Sequence, residues 1–132
     1  MKVLVTGACG FIGWKVSEML LSKDYHVIGI DNLNSYYDVN LKKWRLQSLE
    51  RFENFKFYRC DIENFNALEE IFQKEKPEGI INLAARAGVR YSTVNPFVYI
   101  STNVMGTLNL LELMRKYGIN KIILASTSSL YA

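Results

Sequence analysis

One stretch near the N-terminus decides the fold, VLVTGACGFIG at residues 3–13. Its apolar beginning predicts a short buried β-strand, and an amphipathic helix is predicted directly after its last glycine. A strand, a glycine turn and a helix in this order form a site for the pyrophosphate of a dinucleotide, because the helix N-terminus offers free N–H donors and partial positive charge. We therefore predict that Gly7, Gly10 and Gly13 cradle a pyrophosphate.

Each of these glycines is expected to have its own task. Gly7 permits the tight turn off the strand, Gly10 lets the backbone approach the phosphates, and Gly13 lets the helix pack closely on the sheet. Glycines also occur in ordinary turns, so the setting between strand and helix carries the prediction. The helix itself is predicted to have an apolar face made of Ile12, Val16, Met19, Leu20 and the stem of Lys23.

A second predicted strand, residues 26–30, ends in Asp31. Dinucleotide sites place an acid about twenty residues after the glycine motif. Such a carboxylate accepts hydrogen bonds from the ribose hydroxyls and repels a 2′-phosphate, so Asp31 favours NAD over NADP. The alternative is that Asp31 and Asn32 only open a turn, which both residue types favour.

Length and composition indicate one globular domain that spans the whole of residues 1–132. The chain has 132 residues, of which 49% are hydrophobic, and it contains no low-complexity tract. No apolar run approaches the ~18–20 residues of a membrane span, so no membrane association is expected. The N-terminus does not resemble a signal peptide, and the expected location is the cytoplasm.

Charged and metal-binding residues give little indication of further partners. The net charge of +3 is modest, and acidic residues interrupt the basic cluster, so a solvated helix face is predicted there rather than a nucleic-acid site. Cys9 and Cys60 are predicted to be buried or half-buried fillers, because their spacing fits no metal motif. His26 opens a predicted strand and is expected to be structural. The basic cluster comprises Lys42, Lys43, Arg45, Arg51, Lys56 and Arg59.

Strands and helices alternate along the rest of the chain. Helices are predicted over residues 41–52, from an Asn64 cap, and from an Asn95-Pro96 cap to Gly118. Strands are predicted at 55–58 and 79–83, and a buried strand is predicted at 121–125. Five strands separated by helices predict an α/β fold, a doubly wound parallel sheet of order 3-2-1-4-5 with ligands at the carboxyl ends of strands 1 and 4. Because no helix follows the fifth strand, we expect the chain to be a piece of a longer protein.

Several motifs resemble the extended short-chain dehydrogenase/reductase superfamily. They are Thr6-Gly7-x-x-Gly10-Phe11-Ile12-Gly13, Asp31-Asn32-Leu33-Asn34, Asp61-Ile62, Asn82-Leu83-Ala84-Ala85 and Ala125-Ser126-Thr127-Ser128-Ser129-Leu130-Tyr131. Within that superfamily, residues 31–38 and 84–92 are similar to UDP-glucuronate 4-epimerases and related nucleotide-sugar epimerases. The likeness covers essentially the whole chain but only the first part of such an enzyme.

The resemblance implies a Rossmann-like domain that binds NAD, and it assigns a role to particular residues. Those implied to hold the pyrophosphate are Gly7, Gly10, Phe11, Ile12 and Gly13. Those implied to hold the ribose are Asp31, Asn32 and Asn34, and Asp61 and Ile62 would flank the adenine. The remaining cofactor residues would be Leu83, Ala84, Ala85, Asn103 and Ser126, although Asn103 could instead bridge turns and the Ser/Thr run could be only a polar strand end.

The resemblance also implies a UDP-sugar substrate and a homodimeric enzyme. Thr127 matches the Ser/Thr that hydrogen-bonds the substrate hydroxyl, and Arg90 could meet the diphosphate or carboxylate of the substrate or be an ordinary surface arginine. Epimerases of this kind oxidise C4 transiently and return the hydride to the other face of the sugar. Their Tyr-x-x-x-Lys pair has no counterpart after Thr127 here, so we expect this chain alone to be inactive.

Three alternatives to an epimerase remain. A nucleotide-sugar 4,6-dehydratase shares this front half, but an acid commonly follows its Ser/Thr, whereas Ser128 and Ser129 stand here. A non-catalytic NAD-binding module would bind the dinucleotide alone. A decayed product would bind nothing well, and its unfinished sheet would expose apolar surface and promote self-association.

Overall fold

The computed structural model describes residues 1–34, 38–85 and 93–126. The described strands form one sheet in the order β3-β2-β1-β4-β5, in which every neighbouring pair is parallel. The predicted doubly wound, Rossmann-like α/β architecture and its strand order are therefore confirmed. The strands are β1 Lys2–Thr6, β2 His26–Asp31, β3 Phe55–Arg59, β4 Gly79–Asn82 and β5 Ile122–Leu124.

The helices lie between the strands as the alternation predicts. Asn64 caps α3, since its side chain accepts a hydrogen bond of 3.1 Å from the Ala67 N–H, and Gly118 ends α5 in the left-handed region at φ 68°. None of the described helices is both long and apolar enough to cross a bilayer. The helices are α1 Phe11–Ser22, α2 Val39–Glu50, α3 Phe65–Glu75, α4 Pro96–Tyr99 and α5 Gly106–Tyr117, and a π-helical segment, Ile100–Met105, joins α4 to α5.

The cap predicted at Asn95 is only half right. Asn95 does precede α4, and Pro96 occupies the first turn, but the Asn95 side chain makes no capping hydrogen bond. Pro96 has no N–H, so the start of α4 has one unpaired backbone donor fewer. The long helix predicted after Asn95 is also interrupted by the π segment, which shifts its phase before α5.

The core consists of two apolar layers, one on each face of the sheet. On β1, Leu4 packs in the layer beneath α3 and α5, whereas Val3 and Val5 pack in the layer beneath α1 and α2. This alternation follows from the two-residue period of a strand. Both cysteines are buried as predicted, Cys9 fully and Cys60 with 8% of its surface exposed.

The apolar face predicted for α1 is wrong for Ile12 and Met19, whereas Leu20 packs against the core as predicted. Ile12 and Met19 are 60% and 54% exposed, and the residues that α1 buries are Gly13, Ser17 and Leu21. A Cβ on Gly13 would lie 2.0 Å from the Gly7 carbonyl oxygen, so the helix sits too close to the glycine turn for bulky side chains there. The buried stripe therefore begins with small residues at four-residue spacing, which hydrophobic periodicity does not detect.

The prediction that the fifth strand is buried is also wrong. Ile123 and Leu124 of β5 are 62% and 47% exposed. β5 pairs with β4 alone, and no helix within residues 1–34, 38–85 and 93–126 covers the side on which Ile123 lies. The sheet thus presents an apolar edge in the described part of the chain. Such exposed apolar surface was expected if the sheet is unfinished.

Candidate functional site

A cleft of about 570 Å³ opens at the carboxyl edge of the sheet. It lies where β1 and β4 run side by side and the winding of the chain reverses, which is where doubly wound sheets bind ligands. Its walls come from the turn between β1 and α1, the end of β2, the start of α2 and the segments that follow β3, β4 and β5. Its volume is within the range of about 300–1,000 Å³ that is usual for small-molecule sites.

The turn between β1 and α1 presents to this cleft backbone donors that no other described residue uses. Gly7 has a left-handed φ of 68°, and the Gly10 N–H donates to the Gly7 carbonyl at 3.0 Å. The first bond of the helix runs from the Trp14 N–H to the Gly10 carbonyl at 2.9 Å, so the N–H groups of residues 11–13 precede it. No acidic side chain lies in the first turn of α1, which leaves the positive end of the helix available to an anion.

The turn also lacks room for side chains. A Cβ on Gly7 would come within 2.9 Å of the Leu83 carbonyl group, and one on Gly13 would come within 2.0 Å of the Gly7 oxygen. The backbone therefore forms the floor of the cleft directly. Free amides on a floor that a Cβ would obstruct fit a pyrophosphate, which binds to main-chain N–H groups.

Asp31 ends β2 at the rim of the cleft and holds two backbone groups. Its Oδ2 accepts the Cys9 N–H at 3.0 Å, and its Oδ1 accepts the Leu33 N–H at 2.8 Å. The second bond is an Asx turn, so Asp31 does open a turn, as the alternative interpretation held, while it also lines the cleft. Asn32 repeats the pattern, since its Oδ1 accepts the Asn34 N–H at 3.1 Å.

The prediction that the basic cluster is a solvated helix face is wrong for Lys42 and Arg45. The Lys42 residue is only 6% exposed, and its Nζ lies 3.4 Å from Asp31 Oδ1. An Arg45 NH group donates to the Cys9 carbonyl at 3.1 Å, and both cations line the cleft. Lys43 and Arg51 are exposed as predicted. The sequence did contain an indication that a cation would be buried here, because a buried carboxylate such as Asp31 requires a cationic or hydrogen-bonding partner.

The opposite wall of the cleft follows β3. The Asp61 Oδ1 accepts the Glu63 N–H at 3.0 Å, and the buried Ile62 packs against the start of α5. A Cβ on Gly106 would lie 2.5 Å from Ile62 Cδ1, so Gly106 allows the helix to approach this wall. Thr102 of the π segment lines the cleft, whereas Asn103 does not, and the predicted role of Asn103 stays a prediction.

A buried polar cluster fixes the loop after β4. The Thr6 hydroxyl donates to Asn82 Oδ1 at 2.6 Å and accepts the N–H groups of Leu83 and Ala84, each at 3.0 Å. Thr6 is fully buried and Asn82 is 7% exposed. The hydroxyl therefore ties the ends of β1 and β4 together and orients the loop residues that line the cleft.

All the predicted cofactor residues except Asn103 line this one cleft. Thr127 and Arg90, which were assigned to the substrate, lie outside the described residues. The lining residues that the sequence analysis did not assign to the site are Ile30, Leu41, Lys42, Arg45, Cys60, Thr102 and Ala125.

A second cavity, of about 600 Å³, lies at the opposite edge of the sheet. It is lined by the segments that follow α3 and α5, including Lys76 and Gly118, which are the C-caps of those helices. Helix C-termini carry partial negative charge, which disfavours phosphate. The cleft at the carboxyl edge is therefore the better candidate for a dinucleotide.

The two cysteines near the cleft are expected to react slowly with alkylating reagents. Burial, reinforced by the charge of Asp31, raises the pKa of the Cys9 thiol to about 12. Burial, with a contribution from Asp61, raises the pKa of Cys60 to about 11. At pH 8 both are thus protonated, and thiols react as thiolates. Mass spectrometry after iodoacetamide treatment should show little labelling of the folded protein and full labelling in urea, and rapid labelling of the folded chain would contradict this prediction.

Comparison with known proteins gives a consistent picture. A family model described as GDP-mannose 4,6 dehydratase matches residues 4–132. A UDP-glucuronate 4-epimerase from Thermodesulfobacterium geofontis is 59% identical over 129 residues, which cover 98% of this chain and 40% of that protein. The chain spans about 40% of the length of the curated relatives that it matches at 43–59% identity.

Solved structures resemble the fold as well as the sequence. A Bacillus cereus UDP-glucuronic acid 4-epimerase, in complex with UDP-glucuronic acid and NAD, is 40% identical with a TM-score of 0.90, over 100% of this chain and 42% of that one. A Thermus thermophilus UDP-glucose 4-epimerase, in complex with NAD, is 35% identical with a TM-score of 0.81, over 96% of this chain and 38% of that one.

Proposed function

Since the chain belongs to the GDP-mannose 4,6 dehydratase family, we propose that its cleft binds NAD as the cofactor domain of a UDP-glucuronate-type 4-epimerase. One observation carries the cofactor assignment. The amides of residues 11–13, at the N-terminus of α1, and the Asp31 carboxylate, at the end of β2, line the same cleft, which is how dinucleotide sites hold a pyrophosphate and its adjoining ribose.

The residues of the cleft suit the successive parts of a dinucleotide. The glycine turn would hold the pyrophosphate, Asp31 with Asn32 and Asn34 the ribose, and Asp61 with Ile62 the adenine. The loop after β4 and Ser126 would hold the nicotinamide half, and Asn103, which does not line the cleft, would reach the cofactor from the π segment. When bound, NAD supplies hydride transfer, and the task of the chain is to bind and orient it. Residues 1–132 would thus form one NAD-binding domain.

Calorimetry with the 132-residue chain tests the cofactor assignment. Titration with NAD is expected to give saturable binding of one NAD per chain, and titration with UDP-glucuronate alone is expected to give a much weaker signal. No heat of binding at millimolar NAD, from a chain that is folded by circular dichroism, would overturn the proposal. Equally tight binding of UDP-glucuronate would assign the cleft to the substrate instead.

The reaction we propose is inversion at C4 of a UDP-sugar by transient oxidation. Thr127 would hydrogen-bond the substrate hydroxyl and Arg90 would meet its diphosphate or carboxylate. Two observations favour this over a 4,6-dehydratase: several relatives are named 4-epimerases, and Ser128 and Ser129 stand where dehydratases commonly have an acid. Incubation of UDP-glucuronate with NAD and the protein from the complete coding sequence should yield the C4 epimer by NMR. A 4-keto-6-deoxy product from a parallel incubation with UDP-glucose, which has the 6-hydroxyl that a dehydratase eliminates, would identify a dehydratase instead.

We also propose that the protein associates with a second copy of itself. Exposed apolar residues run along α4, the π segment and α5 at spacings of three and four, which is the pattern of a helix–helix seam. They are Phe97 at 81% exposure, Ile100 at 58%, Val104 at 53%, Leu108 at 45% and Leu111 at 41%. This stripe faces away from the core of its own chain, where α5 buries Leu110 and Leu113 instead.

Leu108→Glu is expected to shift the protein from dimer toward monomer, because it places a charge in the middle of that apolar seam. Light scattering coupled to size exclusion would measure the mass. Met19→Glu is the matched control, since Met19 is an equally exposed apolar residue on α1, away from the stripe. A wild-type chain that elutes as a monomer at high concentration would contradict the proposal, as would equal effects of the two substitutions.

A further inference from the structure

The charge around Asp31 is not the simple negative charge that the sequence indicates. The Asp31 side chain is 4% exposed, and its two oxygens already hold the N–H groups of Cys9 and Leu33. Lys42, whose side chain is 8% exposed, lies at 3.4 Å from Oδ1. The carboxylate is therefore neutralised locally by a cation that lines the same cleft.

Lys42 has donors that Asp31 does not use. An ammonium group has three N–H donors, and within the described residues the one carboxylate within ion-pair distance of Lys42 Nζ is that of Asp31. A nearly buried ammonium with one long contact can donate further hydrogen bonds to a ligand in the cleft. Such a donor beside the ribose position would meet a hydroxyl or a phosphate equally well.

Arg45 adds a second cation three residues further along α2. It forms no ion pair in the described part of the chain, and its Nε is buried without a hydrogen-bond partner. Its guanidinium carbon lies 5.9 Å from the centre of the Phe11 ring, at the start of α1. The guanidinium thus lies against the glycine turn, in the cleft that Lys42 also lines, with donor capacity to spare, which suits phosphate.

We propose that Lys42 and Arg45 form a latent site for a phosphate on the 2′-oxygen of the adenosine ribose, and that Asp31 keeps this site closed. The inference rests on the proposed function, because that function places the ribose beside Asp31. Together the three side chains carry one net positive charge, so removal of the carboxylate charge leaves two cations unopposed. Preference for NAD over NADP then depends on the pairing of Asp31 with Lys42 and not on Asp31 alone.

AMP and adenosine 2′,5′-bisphosphate are two small probes that bind only at the adenosine end of the cleft. They differ by the 2′-phosphate alone, so the ratio of their dissociation constants reports that group. In Asp31→Asn, the affinity for the bisphosphate relative to AMP is expected to rise about tenfold or more, which corresponds to about 1.4 kcal/mol. In Asp31→Asn with Lys42→Met, most of this gain should disappear.

A matched control and a milder variant make the experiment decisive. Lys43→Met, in the Asp31→Asn background, removes an exposed neighbouring charge and should leave the gain intact. Lys42→Met alone keeps both backbone bonds of Asp31, so it avoids the risk that Asp31→Asn loosens the glycine turn. Lys42→Met leaves the charge of Asp31 without its neutralising cation. This variant is therefore expected to weaken bisphosphate binding about tenfold relative to AMP.

The outcomes separate this inference from the proposed function. If the wild-type chain fails to bind NAD, both are overturned. If it binds NAD but Lys42→Met weakens the two probes equally, the latent site is refuted while the cofactor assignment stands. A gain in bisphosphate affinity in Asp31→Asn that persists when Lys42 is also replaced would likewise refute the latent site.

Discussion

Replacing Gly13 with alanine is expected to abolish detectable NAD binding and to lower the free energy of unfolding by about 3 kcal/mol. The new Cβ would lie 2.0 Å from the Gly7 carbonyl oxygen and 2.8 Å from its carbonyl carbon. Both are backbone atoms, so neither can move without displacing the turn or lifting α1 from the sheet. Calorimetry measures the loss of NAD binding, and urea unfolding followed by tryptophan fluorescence measures the loss of unfolding free energy.

Gly79→Ala is the matched control for this experiment. Gly79 begins β4, and its added Cβ would first meet the flexible end of the Met1 side chain at 3.4 Å. An ordinary contact of this kind should change the free energy of unfolding by less than about 1 kcal/mol. Wild-type stability and NAD affinity in Gly13→Ala would contradict the close approach of α1 to the glycine turn, and with it the description of the floor of the cleft.

Replacing Thr6 with valine is expected to cost about 2–3 kcal/mol of unfolding free energy. Valine has the same shape but no hydroxyl, so Asn82 Oδ1 loses its donor and the Ala84 N–H loses its acceptor. Thr6 and Asn82 are buried at the junction of β1 and β4, so water has little access to replace the bond that Asn82 Oδ1 loses. The same urea titration measures the effect, and NAD affinity should fall with it because the loop after β4 lines the cleft.

Thr102→Val provides the comparison, since it removes the same group from a more accessible position. The Thr102 hydroxyl bonds the exposed Glu63 carboxylate, and water can satisfy that partner when the hydroxyl is absent. A loss below about 0.5 kcal/mol is expected there. Equal losses in the two variants would mean that the Thr6 hydroxyl has no special part in joining the two strands.

Much of the fold could be predicted because the signals that define it are local. The apolar beginning of β1, the glycines that follow it and the Asn64 cap each depend on a few adjacent residues. Right-handed crossovers then leave few possible strand orders, and the observed order is the expected one. The carboxyl ends of the strands therefore meet at one edge, which is why residues far apart in sequence line a single cleft.

The errors arose where a residue responds to a distant neighbour. Hydrophobic periodicity placed Met19 in the core, but Gly13 brings α1 so close to the sheet that small residues occupy its buried face. Charge patterning placed Lys42 in solvent, but the buried Asp31 eleven positions earlier draws it into the cleft. Ile123 has the composition of a core strand, yet its exposure depends on whether another element covers β5.

In the candidate site, too, features set by adjacent residues could be predicted and features set by distant residues could not. The glycine turn and the acid after β2 were recognisable, since their spacing is set by one strand–helix–strand unit. The contributions of Lys42, Arg45 and Thr102 come from elements whose docking depends on the whole domain, and no short pattern contains them.

The double attachment of Asp31 restricts how cofactor preference could change in evolution. One oxygen holds the glycine turn through the Cys9 N–H, and the other holds the following turn through the Leu33 N–H. A lineage that exchanged this acid for a neutral residue would loosen both segments at once. Adaptation to a different dinucleotide would therefore proceed more readily through substitutions on the neighbouring helix, with the acid itself retained.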